Sequence, residues 1–115
     1  MSNEIQVVNR HHIETGPQPR DVYIGRPSAL GNIFTLEGRQ TRESVIANFE
    51  KWLNWKIAED DELVCNALER IGALAMDNTG QPVRLVCFCH PKPCHGDIIK
   101  KVIEAAISQH QEHSQ

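Results

Sequence analysis

The residues best suited to chemistry lie near the C-terminus, in the segment CFCHPKPCHGD (87–97). Thiolate and imidazole are good zinc ligands, and four candidates are available here: Cys87, Cys89, Cys94 and His95. Structural zinc sites normally use a Cys-x₂₋₄-Cys pair, because a tight turn aims both sulfurs at one ion. On a strand, Cys-x-Cys places both sulfurs on one face and Phe88 on the other. Zinc is therefore a secondary interpretation, and we predict no cofactor.

The same segment also suits metal-free catalysis. A cysteine at a helix N-terminus beside a histidine is expected to have a lowered pKa, which would make Cys94 a nucleophile. His95 and Asp97 are the nearest candidate acid–base pair. Residues at i and i+2 do not share a helix face, so this pair requires His95 to precede the helix. The simpler interpretation is that Cys87 or Cys89 is a small core residue, as free cysteines often are.

A third interpretation is an anion site at the start of the last helix. Amides at a helix N-terminus carry the positive end of the helix dipole and bind anions. Gly96 has no Cβ and would let a ligand approach the backbone, and Lys92 and His95 are close in sequence. Asp97 does not suit a pure anion site. It is predicted either as an acid of the first helical turn or as a hydrogen-bond partner of a ribose hydroxyl or base.

A second loop, GRPSALGN (25–32), offers complementary groups. Its glycines permit backbone conformations closed to other residues, and its proline fixes the turn. Arg26 carries a planar cation suited to phosphate, carboxylate or a base; pairing with a surface acid is the alternative. The complete predicted ligand-binding set is Arg10, Tyr23, Gly25, Arg26, Pro27, Ser28, Gly31, Asn32, Lys92, Cys94, His95, Gly96 and Asp97.

Hydrophobic periodicity predicts the elements that position these loops, in the order β–β–α–α–β–α. The strands are predicted at 4–9, 22–24 and 83–89, and the helices after the N-cap Thr41, from 60–63 and from about 96. The second helix is predicted to bury a stripe that includes Leu63. This order predicts a small Rossmann-like α/β domain over residues 1–110, with a mostly parallel sheet covered by helices, and a frayed polar tail at 111–115. Ligands bind beyond the carboxyl ends of such strands, so both loops are predicted to meet at one edge.

Composition narrows the class of protein. The chain has 115 residues, of which 40% are hydrophobic and 23% charged, with a net charge of −3. This charge argues against nucleic acid as a partner. No apolar run approaches the roughly 20 residues of a membrane-spanning helix, and the N-terminus lacks a signal-peptide pattern. We therefore expect a cytoplasmic protein with reduced cysteines and no membrane partner.

Taken together, the motifs resemble a family of short uncharacterised domains common in bacteriophages and bacteria. That family shares a Gly-Arg-Pro-Ser…Gly-Asn-x-Phe loop and a Cys-x-Cys-x-Pro-x-x-Cys-His-Gly-Asp motif. Both occur here in the same order, within residues 6–103. Ile33 departs from the family's usual Pro, and His90 from a usually small residue. The resemblance implies a phage or prophage setting, hence the host cytoplasm, and no established reaction.

The leading prediction is a site between the two loops for a nucleotide or a related phosphorylated small molecule. Arg26 and the amides at 95–97 would hold the anionic part, and Tyr23 would stack on the base. Ser28, Asn32 and Asp97 would contact polar edges. The alternatives are a hydrolase or transferase acting on a nucleotide or nucleoside bond at this site, and a zinc-stabilised interaction module. In a phage setting the domain would sequester or modify a host nucleotide signal.

The prediction about self-association rests on two tryptophans. Trp52 belongs to the apolar stripe of the first predicted helix, and Trp55 lies three residues further on. Trp55 either extends the core or forms a self-association surface, because aromatic residues are enriched at interfaces. The second interpretation predicts a homo-oligomer.

Overall fold

The computed structural model describes residues 3–12, 18–32, 41–77, 79–88 and 94–113. These residues form a small α/β domain whose element order confirms the sequence prediction. The elements are β1 (Ile5–Asn9), β2 (Asp21–Tyr23), α1 (Arg42–Ala58), α2 (Glu62–Ala75), β3 (Val83–Cys87) and α3 (His95–His113). A short 3₁₀ turn, Arg10–His12, follows β1. Among the described helices, none has the length and apolar character needed to cross a membrane.

The described strands form one parallel sheet in the spatial order β1-β3-β2. The last strand in sequence therefore lies in the centre, where Leu85 is in register with Val7 of β1 and Val22 of β2. The amide of Ile24 donates to the carbonyl of Val86 at 3.0 Å, which continues the pairing beyond β2. Because the strands are parallel, their carboxyl ends share one side of the sheet. We call residues 9–12, 23–32, 87–88 and 94–97 the carboxyl edge; the predicted meeting of the two loops there is confirmed for their described residues.

Alternate residues of each strand face the helices, as strand geometry requires. Val7, Leu85 and Ile24 belong to one buried core. Val8 and Arg84 lie on the other face, outside that core, and are half-buried. The helices α2 and α3 contact the sheet, and α1 packs on α2 and α3. The core therefore lies between the sheet and its helical layer, and the alternation of the strand places Phe88 on the opposite side from the buried Cys87.

Helix boundaries follow the capping residues. The Thr41 hydroxyl accepts a hydrogen bond from the Ser44 amide at 3.1 Å, which confirms Thr41 as the N-cap of α1. Asp61 caps α2 in the same way through the Val64 amide at 3.1 Å. Such caps satisfy amides that have no partner within the helix. At the other end of the domain, α3 continues past the predicted start of the frayed tail to His113.

The prediction that Leu63 belongs to the buried stripe of α2 is wrong. Leu63 of α2 is 72% exposed. The buried line of α2 runs through Val64, Ile71 and Ala75, and Leu63, one residue before Val64, is rotated by about 100° from that line. Trp52 is half-buried against Phe49, with ring centroids 5.6 Å apart, whereas Trp55 is 53% exposed. Trp55 therefore does not extend the core.

The amino edge, which we define as Asn3, Arg20, residues 74–77 and residues 79–80, is closed by hydrogen bonds between distant segments. The buried Asn3 amide donates to the Leu74 carbonyl at 3.0 Å and to the Asp77 carboxylate at 2.6 Å. Its oxygen accepts from the Gly80 amide at 2.9 Å. Arg20 pairs with Asp77 at 2.6 Å, and this guanidinium lowers the pKa of Asp77 to about 2.

A second ion pair joins neighbouring strands. Arg84 donates from Nε and Nη2 to the two carboxylate oxygens of Asp21, at 2.7 and 2.8 Å. The residues are register partners on β3 and β2, so the sheet itself aligns them. The paired guanidinium lowers the pKa of Asp21. This fork-shaped contact fixes the short edge strand β2 to the central strand.

Candidate functional site

His95 links the start of α3 to the end of β2. It is the first residue of α3, is 7% exposed, and places Nε2 2.6 Å from the Ile24 carbonyl oxygen. A carbonyl only accepts, so Nε2 carries the proton in this contact. Burial lowers the pKa of His95. The ring also meets Phe49 edge-on at 5.0 Å. His95 therefore joins the two predicted loops from the core side.

The two described cysteines of the cluster form a buried thiol pair. Cys87 and Cys94 place their sulfurs 3.5 Å apart, and both are nearly inaccessible. The hydrogen bond with Cys87, followed by burial, raises the pKa of Cys94 far above its ordinary value. The predicted lowering of this pKa is wrong, because the neighbouring thiol and the loss of water outweigh the hydrogen bond from the Gly96 amide. Cys94 is thus a poor nucleophile, and Cys87 is confirmed as a core residue.

The candidate zinc ligands are only partly brought together. Cys87 and Cys94 are adjacent, but the Nε2 of His95 is occupied by the Ile24 carbonyl. Cys89 lies outside the described residues. Within the part of the chain that the structure describes, no group of three or more His, Cys, Asp and Glu side chains is placed to hold a metal ion. The described members of the set do not build a tetrahedral site.

Two of the first amides of α3, those of Gly96 and Asp97, are satisfied within the chain. The Gly96 amide donates to the sulfur of Cys94 at 3.3 Å, and the Asp97 amide to the Cys94 carbonyl at 3.1 Å. The exposed Asp97 carboxylate accepts from the Cys94 amide at 3.2 Å. This reciprocal arrangement is a capping box with cysteine at the N-cap. It confirms Asp97 as a first-turn acid and corrects the predicted contact of the Gly96 and Asp97 amides with an anion.

Gly96 is required by packing against the sheet. A Cβ at this position would lie 2.9 Å from Val7 Cγ1 and from Ile24 Cδ1, closer than real Cβ atoms approach. Gly96 is also buried, so the glycine serves the close approach of α3 to the strands. The predicted approach of a ligand to this backbone is therefore corrected.

The GRPSALGN loop is compact in its described residues. The Ser28 amide donates to the Gly25 carbonyl, and the Gly31 amide to the Ser28 carbonyl, both at 2.9 Å. The Arg26–Pro27 peptide bond is cis. A Cβ on Gly31 would lie 3.0 Å from the backbone of Arg26, which explains the second glycine. Asn32, the last described residue of the loop, is half-buried.

Two side chains of this loop region are placed for recognition. The Tyr23 hydroxyl donates to the Arg26 carbonyl at 2.7 Å, so its ring folds over Gly25, where a Cβ would lie 2.3 Å from the hydroxyl. The Ser28 hydroxyl oxygen is buried and has no hydrogen-bond partner among the described residues. A buried hydroxyl without a partner is costly, so it is suited to a hydrogen bond with a ligand.

Two cations lie on opposite sides of the carboxyl edge. Arg26 is exposed, and no carboxylate of the described residues lies within ion-pair distance of it. Its charge contributes to the lowered pKa of His95, so the guanidinium acts at the start of α3. Arg10 is exposed beyond β1. The predicted pairing of Arg26 with a surface acid does not occur among these residues. Lys92 lies outside them.

Sequence reasoning predicted Tyr23 but missed the other two rings of this edge, Phe88 and His11. Phe88 follows β3, with its ring centroid 5.2 Å from that of His11 and 6.1 Å from that of Tyr23. Asn9 supports the cluster, since its Nδ2 donates to the Phe88 carbonyl at 3.2 Å and its Oδ1 accepts from the His11 amide at 2.9 Å. The one signal in the sequence is a large apolar residue on the strand face opposite the buried Cys87.

Comparison with known proteins gives a family and no function. The model of a domain of unknown function, DUF4326, matches residues 7–105. Neither a curated protein nor a solved structure matches the chain. The matched range includes the whole carboxyl edge, with both loops and the start of α3. The chain therefore belongs to the DUF4326 family.

Proposed function

We propose that the carboxyl edge binds a nucleotide or a related phosphorylated small molecule. The observation that carries this proposal is the exposed guanidinium of Arg26, which has no ion-pair partner among the described residues. Arg20 and Arg84, by contrast, are each paired with a carboxylate. Parallel α/β sheets bind ligands beyond the carboxyl ends of their strands, where Arg26 lies.

The anionic part of the ligand contacts Arg26 rather than the α3 amides. A guanidinium presents paired donors that match two phosphate oxygens. The positive end of the α3 dipole adds attraction at a distance, although the Asp97 carboxylate offsets part of it. Ser28 supplies a hydroxyl beside Arg26, and the exposed carboxylate of Asp97 suits a sugar hydroxyl. The proposed ligand therefore combines a phosphate with a hydroxylated sugar.

Binding without turnover agrees best with the described side chains. The Cys94 thiol is buried with a raised pKa, and His95 donates to a backbone carbonyl. Asp97 accepts from the backbone of Cys94, so it does not orient the imidazole. No activated nucleophile or acid–base pair is formed among these groups. In the phage setting that the motifs imply, such a site would sequester a host nucleotide signal.

Isothermal titration calorimetry tests this proposal at low salt, with a panel of nucleoside mono-, di- and triphosphates and ribose 5-phosphate. Arg26→Gln is expected to weaken binding about tenfold or more, because it removes a charge-assisted hydrogen bond. Arg70→Gln is the control, since Arg70 is exposed on α2, away from the site. If the wild-type protein binds no member of the panel, or if both variants bind like the wild type, the proposal is wrong.

A further inference from the structure

An aromatic row crosses the carboxyl edge of the sheet. His11 follows β1, Phe88 follows β3 and Tyr23 ends β2, so each strand contributes one ring. The strand order β1-β3-β2 places Phe88 in the middle. Phe88 is 51% exposed and Tyr23 is 42% exposed. Large apolar rings gain stability by leaving water, so the exposure of the central one is not explained by folding.

Hydrogen bonds between side chains and the backbone hold the residues of this row in place. Asn9 bonds the carbonyl of Phe88 and the amide of His11, which fixes two of the three ring-bearing positions relative to each other. Tyr23 is held through its hydroxyl by the carbonyl of Arg26. The rings therefore form a surface that exists before any ligand arrives, and such preorganisation lowers the entropic cost of binding.

The geometry limits what the row accommodates. The ring planes of His11 and Phe88 are inclined by 49°, and those of Tyr23 and Phe88 by 71°. A flat ligand therefore stacks on one ring and meets the other two with its edges. A protein partner normally buries about 800 Å² on each side, far more than three clustered rings offer. A single planar heterocycle matches this row in size.

We propose that a nucleobase stacks on Phe88 between His11 and Tyr23 while its phosphate reaches Arg26. The bond from Tyr23 to the Arg26 carbonyl places the backbone of Arg26 next to the row, and the exposed side chain of Arg26 starts from there. This inference rests on the proposed function and specifies its substrate class. The ligand is a nucleotide, whose base contributes to affinity, and not a sugar phosphate or inorganic phosphate.

The experiment compares two kinds of probe that differ by the base. Calorimetry measures the dissociation constants of AMP, GMP, CMP and UMP against that of ribose 5-phosphate. At least one nucleotide is expected to bind about tenfold more tightly than ribose 5-phosphate, given the usual contribution of base–aromatic stacking. Phe88→Leu is expected to abolish this advantage and leave ribose 5-phosphate binding unchanged, and Phe88→Trp to retain it. Trp55→Leu, at an exposed aromatic residue of α1, is the control.

Each outcome decides between the two proposals. Equal affinity for ribose 5-phosphate and all four nucleotides overturns base stacking and leaves phosphate binding intact. Base stacking is also overturned, and phosphate binding left intact, if Phe88→Leu weakens the binding of nucleotides and of ribose 5-phosphate equally, or changes neither. If the wild-type protein binds none of the probes, the proposed function is overturned and this inference with it. Thermal unfolding of each variant separates a lost contact from a lost fold.

Discussion

Asn3, Arg20 and Asp77 close the amino edge of the sheet through bonds to one another, whereas Arg26 and Phe88 at the carboxyl edge are exposed to solvent. The amino edge joins residues that precede β1 and β2 to the end of α2, whereas the carboxyl edge uses residues at the ends of all three strands. At the amino edge the charged groups satisfy each other, and at the carboxyl edge an arginine and an aromatic ring remain available. This difference predicts that stability depends on the bonded side chains of the amino edge, and that binding depends on Arg26 and Phe88 at the carboxyl edge.

The largest effect is expected from Asn3→Ala. This change removes the bonds to the Leu74 carbonyl, Asp77 and the Gly80 amide, which tie the start of β1 to the end of α2 and the turn that follows it. The free energy of unfolding is expected to fall by about 2 kcal/mol, measured by urea denaturation. Gln6→Ala is the control, because Gln6 makes an exposed contact with Glu4. An equal loss in both variants would contradict the proposed closure of the amino edge.

Gly96→Ala challenges the comparison most directly, because it is expected to lower the free energy of unfolding although Gly96 lies at the carboxyl edge. The added Cβ would overlap Val7 and Ile24, and overpacking of this kind is expected to cost about 1.5 kcal/mol. Gly72→Ala is the matched control. A Cβ there meets nothing within 4 Å, so this helical substitution is expected to stabilise by about 0.5 kcal/mol. Chemical denaturation of both variants checks the opposite signs.

The pH dependence of stability sharpens the comparison at the carboxyl edge. The folded protein keeps His95 neutral with a lowered pKa, while the unfolded chain binds a proton there near the ordinary value of 6.5. Stability is therefore expected to decrease as the pH falls below 6.5, until it passes the folded pKa. His95→Gln removes this titration, so the stability difference between wild type and variant should narrow toward acid pH. Urea midpoints of both proteins across this pH range measure the stability difference, and a difference that does not change with pH would contradict the prediction.

The amino edge is expected to titrate in a lower window. The pKa of Asp77 is about 2 in the folded protein against an ordinary value of 3.8. Its stabilising contribution is present above pH 3.8 and is lost as the pH falls from 3.8 toward 2. Arg20→Gln removes the main cause of this shift. The difference in unfolding free energy between wild type and variant should therefore narrow as the pH falls toward 2, where only the bond from Arg20 to the Leu74 carbonyl remains. A difference that does not change with pH would contradict the prediction.

The smallest effect is expected at the ligand-facing residues. Arg26→Gln and Phe88→Leu alter exposed side chains, so each should change the free energy of unfolding by less than about 0.5 kcal/mol. Thermal unfolding without ligand checks this. A loss similar to that of Asn3→Ala would show that the carboxyl edge is structural, and the separation of stability from binding would fail.

Much of the framework was predictable from the sequence because it depends on local patterns. The strand runs and the N-cap Thr41 were read directly from the sequence, and the βα order predicted parallel strands and a shared edge for both loops. Asp97 was predictable as an acid of the first helical turn. These features arise within one element and its flanks, so the sequence states them directly.

The remaining features depend on contacts across the fold. The raised pKa of Cys94 depends on its packing against Cys87. The bonding of the first α3 amides within the chain depends on the cap formed by Cys94 and Asp97. The aromatic row requires the strand order, since His11 and Tyr23 meet Phe88 only when β3 lies between β1 and β2. Sequence patterns give no spatial order for strands, so Phe88 was not recognised.

The central position of β3 also has a consequence for how the chain acquires its structure. β1 and β2 are made early in synthesis, yet both pair with β3 and not with each other. The Asn9 to Phe88 contact closes a separation of 79 residues. Closing so long a loop carries an entropic cost, and folding rates fall as contacts become less local. During synthesis, β1 and β2 therefore cannot form the described sheet until β3 has been made. A fragment that ends before β3 would lack this sheet.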